Sequence, residues 1–195
     1  MSKSRLEAFS DGVIAIIITV MVLELKVPHG SALGDLRGSV PTLLAYALSY
    51  VYVGIYWNNH HHMLHATRGV NGTVLWANLH LLFWLSLVPF VTAWLGEHRA
   101  ATWPVVIYGF VLFMAGFAYS LLRVAIIAHD GRDSLVAQTV GTDTKGLLSL
   151  VSYLTAIGAA FIRPWIAEVL YVVVAAMWFV PDRRIERRID GKREG

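Results

Sequence analysis

Cysteine is absent from all 195 residues, which excludes disulfides and thiolate chemistry. Charge is scarce: Asp, Glu, Lys and Arg make up 15% of the chain against 56% hydrophobic residues, far from the balance of a soluble domain. No HEXXH run occurs, and the pattern of the first apolar segment does not recur in the second half. Without an internal repeat or Gly-rich interrupted half-helices, a secondary transporter built from two similar halves is disfavoured. The basic excess is small, 16 residues against 13 acidic, and is densest in residues 181–195 beside the end of an apolar run. Basic residues there read as a juxtamembrane anchor on the cytoplasmic side, and no nucleic-acid partner is implied.

What the chain does have is a series of apolar runs of about twenty residues, each able to cross a hydrocarbon core of about 30 Å at about 1.5 Å per residue. The fold class is therefore all-α, a polytopic transmembrane helical bundle with six spans. The helices are expected at about 5–27, 41–67, 73–95, 103–128, 146–163 and 165–180, with Pro89 kinking the third. Residues 1–181 form one six-helix membrane domain and 182–195 a basic cytoplasmic tail. The opening MSKSRLEAFSDGV has no small-residue cleavage site after its apolar stretch, so it is expected to be a retained first span rather than a removed signal. Ser4 with Glu7 stands in capping-box register at its start.

Orientation follows from the basic residues. With the N-terminus inside, the inner ends and loops hold Lys3, Arg5, Arg68, Arg132, Lys145, Arg183, Arg184, Arg187, Arg188, Lys192 and Arg193, whereas the outer side holds Lys26, Arg37, Arg99 and Arg163. This bias puts both termini in the cytoplasm and requires an even number of spans. Trp57, Trp76, Trp94, Trp103, Trp165 and Trp178 lie near predicted helix ends, as interfacial tryptophans do. The small residues Gly109, Ala115, Gly116, Ala118, Gly158, Ala159 and Ala160 permit close helix packing.

The first helix carries the most information. Arg5, Glu7, Ser10 and Asp11 sit at its inner end, and ionisable groups entering a membrane must face protein or water. Arg5 and Asp11 are about 120° apart around the helix, so their partners belong to neighbouring helices; for Arg5 a plain interfacial position is the alternative. At about 100° per residue, Ile16, Val20 and Leu23 form one stripe with Thr19 on its edge, and Asp11 points about 140° away from Ile16. Periodicity alone lets that stripe face lipid or another helix. In the second helix, His60, His61, His62 and His65 form a cluster, and the four-residue spacing of His61 and His65 can chelate a metal. Three uses stay open for it: structural hydrogen bonding, proton-sensitive gating, or an intramembrane metal- or haem-binding enzyme.

The run Arg5-Leu6-Glu7-Ala8-Phe9-Ser10-Asp11 has the form R-x-x-x-F-S-D and is followed by GVIAIIITVMVLEL. It resembles the first helix of the bacterial branch of the lysosomal potassium channel family TMEM175. Trp57 with His60 and His61, Asn78, and Pro89 fit the same resemblance. What the resemblance implies is a homotetrameric, potassium-permeable cation channel of the bacterial inner membrane with six helices per subunit and no P-loop filter. No catalytic residue, metal or cofactor is implied, and potassium is the permeant ion. It further implies that the first helices line the pore, with Ile16 as the inner constriction, Thr19 as a polar pore position, Val20 beside it, and Leu23 as the outer constriction. Arg5, Phe9, Ser10, Asp11, Trp57, His60, His61 and Asn78 would support that helix from behind. No TVGYG run is present, so a filter of backbone carbonyl rings is not indicated.

Overall fold

The computed structural model describes residues 2–98, 101–131, 133–134, 136–137 and 143–179. Arg99, Arg132 and the whole tail 182–195 lie outside the described residues. Seven α-helices occupy the remainder: α1 Lys3–Leu23, α2 Val40–Ala66, α3 Gly72–Ser86, α4 Val88–Glu97, α5 Thr102–Asp130, α6 Thr144–Ala160 and α7 Pro164–Phe179, with a 3-10 segment Leu33–Ser39 before α2. Among the described residues, four stretches are long and apolar enough to cross a membrane, namely Lys3–Leu23, Leu33–Ala66, Gly72–Glu97 and Thr102–Asp130, and Pro164–Phe179 is a shorter apolar helix. The chain is thus an all-α, multi-pass membrane protein.

Differences from the expected boundaries have local causes. The first helix begins at Lys3 with Ser2 rather than Ser4 at the cap, and it ends at Leu23. Pro28 explains part of this early end, since it drives the residue before it into extended backbone. The third span is not one kinked helix but two, broken at Leu87. Pro89 has no amide hydrogen to give to the carbonyl four residues back, and its ring crowds that carbonyl, so the ladder stops and restarts. The helix expected to end at residue 163 stops at Ala160, where Phe161 to Arg163 form the turn before Pro164. It starts at Thr144, two residues before the expected 146, because Asp143 caps it, Oδ1 accepting from the Gly146 amide at 2.7 Å.

α5 is the hub, packing against α3, α4, α6 and α7, while α1 lies across α2, α3 and α4. Small residues set the closest approaches. A Cβ on Gly109 would fall 2.0 Å from the Tyr171 hydroxyl oxygen, and one on Gly96 would fall 2.7 Å from the Thr42 Cα. Gly158 has open space around it and plays no such part. Tyrosines fill the interior, and their hydroxyls find partners within the protein, as a low-dielectric surrounding demands. The Tyr52 hydroxyl donates to the Tyr171 carbonyl at 2.6 Å, the Tyr171 hydroxyl donates to the Val105 carbonyl at 3.0 Å, and the Tyr108 and Ser49 hydroxyls lie 3.0 Å apart.

A candidate pore helix and its polar support

α1 has two distinct sides. Leu6, Ser10, Ile14, Ile17 and Met21 recur every three or four residues and are buried against the rest of the chain. On the other side Phe9, Ile16 and Leu23, seven residues apart, are 49%, 62% and 80% exposed, with Val20 at 38% between them. Thr19 is exposed beside them, and its hydroxyl donates to the Ile16 carbonyl at 2.9 Å. Next to this stripe runs an open groove lined by Val13, Ile16, Ile17 and Val20 of α1 with Ser86 and Pro89 at the α3–α4 break.

Behind α1 lies a polar network drawn from three helices. Asn78 of α3 donates through Nδ2 to the Ser10 hydroxyl oxygen at 3.0 Å, and its Oδ1 lies 2.6 Å from His60 Nε2. Because the amide nitrogen is committed to Ser10, Oδ1 must accept, so neutral His60 carries its proton on Nε2. Ser10, His60 and Asn78 are all buried, and each would be expensive to leave unmatched in a lipid-surrounded interior. Asp11 takes its partner from α2: Oδ1 accepts from the Trp57 indole nitrogen at 3.0 Å. Trp57 therefore ties α2 to α1.

The structure leaves two of the expected supporting residues outside this network. Arg5 is exposed and has no hydrogen bond or ion pair among the described residues. Phe9 stands on the open side, in register with Ile16 and Leu23. His61 joins only through ring contacts, stacked on Trp57 at 6.0 Å and on His65 at 6.1 Å. Among the described residues no three His, Asp or Glu side chains converge to hold a metal. With His60 spent on Asn78, the helix 2 histidines offer no geometric support for a metalloenzyme.

Sequence reasoning missed a clasp at the N-terminal end of α1. Lys3 Nζ donates to the His65 and Thr67 carbonyls at 2.7 and 3.0 Å, placing a cation on the C-terminal carbonyls of α2. From α5, Asp130 Oδ2 accepts from the Thr67 hydroxyl at 2.6 Å and from the Arg68 amide at 2.9 Å. The start of α1, the α2–α3 turn and the end of α5 are thereby tied together. Lys3 read only as a topological charge and Asp130 only as a loop residue; no periodic signal marks either. Past the C-terminal end of α1, Lys26 pairs with Glu97 at 2.5 Å, and this hydrogen bond, then the opposite charge, raises the Lys26 pKa above its ordinary 10.5.

Residues 5–89, which take in all but the first two residues of α1, the whole of α2 and the α3–α4 break, match the family described as Endosomal/lysosomal potassium channel TMEM175. The chain is 50% identical over 189 residues to a potassium channel of Chryseobacterium sp. (strain P1-3), covering 97% of this chain and 98% of that one. A potassium channel of Streptomyces collinus is 31% identical over 173 residues, covering 82% of this chain and 83% of the other. The crystal structure of a lysosomal potassium-selective channel TMEM175 homolog from Chamaesiphon minutus matches with a TM-score of 0.78 at 29% identity, covering 91% of this chain and 96% of that one. A relative half identical along nearly the full length of both chains, with a solved relative sharing the same helix arrangement, establishes that this chain belongs to the TMEM175 family, one of channels and not of enzymes.

Proposed function

We propose that the chain is a potassium-permeable cation channel of the bacterial plasma membrane, assembled as a homotetramer whose pore is lined by α1 from each subunit. The observation that carries this reading is the open stripe of α1: the chain buries one side of its first helix and leaves Phe9, Ile16, Val20 and Leu23 uncovered. The names of the relatives, potassium channels in two bacteria, supply the ion. Six spans follow if α3 and α4 together make one crossing and α6 and α7 make the last two, with both termini cytoplasmic. Residues 1–181 are then the channel domain and 182–195 its cytoplasmic tail.

In this pore the constrictions work by excluding water. A ring of four Ile16 side chains breaks the wetted path when narrow and restores it when it widens, and a ring of four Leu23 side chains repeats this further out. Four Thr19 hydroxyls offer the oxygen ligands between them. So sparse a polar lining discriminates only modestly between potassium and sodium. Liposomes holding the purified protein are expected to pass potassium down a gradient with no coupled ion, and Ile16→Asn is expected to raise the leak about tenfold or more, because a polar ring stays wet. Flux no greater than that of protein-free liposomes would remove the reading.

A further inference from the structure

Pro89 leaves the Leu85 carbonyl without the amide that a continuous helix would supply, and in a lipid-surrounded bundle the groups freed by such a break turn to side chains. On the α3 side the Leu87 amide reaches the Trp84 carbonyl, three residues back, at 3.3 Å, and the Ser86 hydroxyl donates to the Phe83 carbonyl at 2.7 Å. On the α4 side the Thr92 hydroxyl lies 2.7 Å from the Val88 carbonyl and 2.7 Å from the Ser49 hydroxyl oxygen of α2. Ser49 lies in turn 3.0 Å from the Tyr108 hydroxyl of α5. Each hydroxyl has one proton, and the carbonyl can only accept. Thr92 therefore donates to Val88, Ser49 to Thr92 and Tyr108 to Ser49, a one-way chain through three helices. Ser49, Thr92 and Tyr108 are all buried, so removing one member strands its neighbour.

The two hydroxyls at the break differ in what holds them. Ser86 is exposed and bonds within α3, whereas Thr92 is held from outside its own helix, by α2 and through it by α5. A threonine hydroxyl bonded four residues back bends a helix, and this one ends on Val88, the first residue of α4. Ser86 and Pro89 also line the open groove shared with Val13, Ile16, Ile17 and Val20 of α1, so the angle at the break decides what stands beside that stretch of α1. We propose that Thr92 is a positioning residue: held by Tyr108 and Ser49, its hydroxyl fixes the angle between α3 and α4, and the break in turn backs α1 at Ile16 and Val20. The effect on ion passage rests on the reading of α1 as the pore helix; the fixing of the angle does not.

The chain has no cysteine, so Trp76→Cys on α3 and His98→Cys just past α4, both exposed, give one spin-labelled pair. Their separation is read by double electron–electron resonance on the full-length protein in nanodiscs, with labelled subunits diluted into unlabelled protein so that the distance lies within one chain. α4 has 10 residues, about 15 Å, so a change of about 10° at the break swings its end by about 3 Å. Thr92→Val removes the hydroxyl and keeps the branched shape, and is expected to shift the distance by about 3 Å, whereas Thr92→Ser stays within about 1 Å of the parent. Pro89→Ala returns an amide to the Leu85 carbonyl, and in that background the Thr92→Val shift is expected to shrink at least about twofold. In liposomes Thr92→Val is expected to change potassium flux about threefold or more, with Thr92→Ser at the parental rate. An unchanged distance in Thr92→Val, an equal shift in Thr92→Ser, or a shift undiminished by Pro89→Ala would overturn the role at the break. A shifted distance with parental flux would overturn the link to α1. A parent protein that passes no potassium would remove the pore reading, and the effect on ion passage with it, while the distances alone still decide whether Thr92 sets the angle.

Discussion

The two sides of α1 are made of almost the same residue types and meet opposite fates. Ile14 is 1% exposed and Ile16 is 62% exposed, two positions apart on one helix. Hydrophobicity does not separate them; phase does. Ile14 shares its side with Ser10, and Ser10 is pinned to Asn78 while Asp11 holds Trp57, so these polar contacts favour the rotation of the helix that presents Ile16 rather than Ile14 outward. In lipid the apolar effect gives little preference between a neighbouring helix and an acyl chain, so hydrogen bonds and close packing must set helix rotation.

The comparison is tested most sharply by cysteine, since the chain has none of its own. Ile16→Cys or Leu23→Cys is expected to cross-link into covalent dimers under mild oxidation, whereas Ile14→Cys stays monomeric on denaturing gels; cross-linking at residue 14 and not at 16 would reverse the assignment of the two sides. Asn78→Leu breaks both hydrogen bonds of the Ser10–Asn78–His60 chain at once. It is expected to lower stability by about 2–4 kcal/mol, the penalty of stranding buried partners, seen as a lower melting midpoint and a smaller oligomer peak. Asp11→Ala strands only the half-exposed Trp57 indole and is expected to cost about 1–2 kcal/mol, lowering assembly yield more than it alters ion preference. Normal oligomer yield with a large loss of potassium preference would instead put Asp11 on the ion path. Smallest is Lys26→Ala, because Lys26 and Glu97 are both solvent-exposed. Lys26 has a raised pKa and Glu97 a lowered one, so what their pairing contributes stands between pH 4.5 and 10.5, fades as pH climbs through the higher folded value of Lys26, and fades as pH falls through the lower folded value of Glu97. Melting of Lys26→Ala should therefore differ little from the parent around neutral pH.

Much of the arrangement was legible beforehand, for definable reasons. Apolar length located the helices, and helical phase grouped Ile16, Val20 and Leu23 on one side. The FSD run together with Trp57, His60 and Asn78 pointed to the support behind them. Phe9 was misplaced because it was grouped with its polar neighbours in the motif, although its seven-residue spacing to Ile16 puts it on the open side. The break at Leu87 was underestimated: Pro89 was read as a bend, yet it ends one helix and starts another. Contacts between residues far apart in sequence left no trace at all. Lys3 on the α2 carbonyls, Asp130 on Thr67, and Tyr171 over Gly109 each depend on tertiary proximity that no local pattern encodes.

The hydrogen bond from Thr19 to the Ile16 carbonyl has a consequence for the sign of charge the helix can serve. A hydroxyl has one proton and two lone pairs, and here the proton is turned back onto the helix's own backbone. Only lone pairs remain to face outward. Repeated around the proposed pore, Thr19 becomes a collar of acceptors with no donors, suited to replacing water around a cation and unable to solvate an anion. Serine would keep that polarity but lacks the second Cβ substituent that limits rotation about χ1. Rejection of anions would thus be built from a backbone-directed rotamer of an uncharged residue, without any charged side chain at that level.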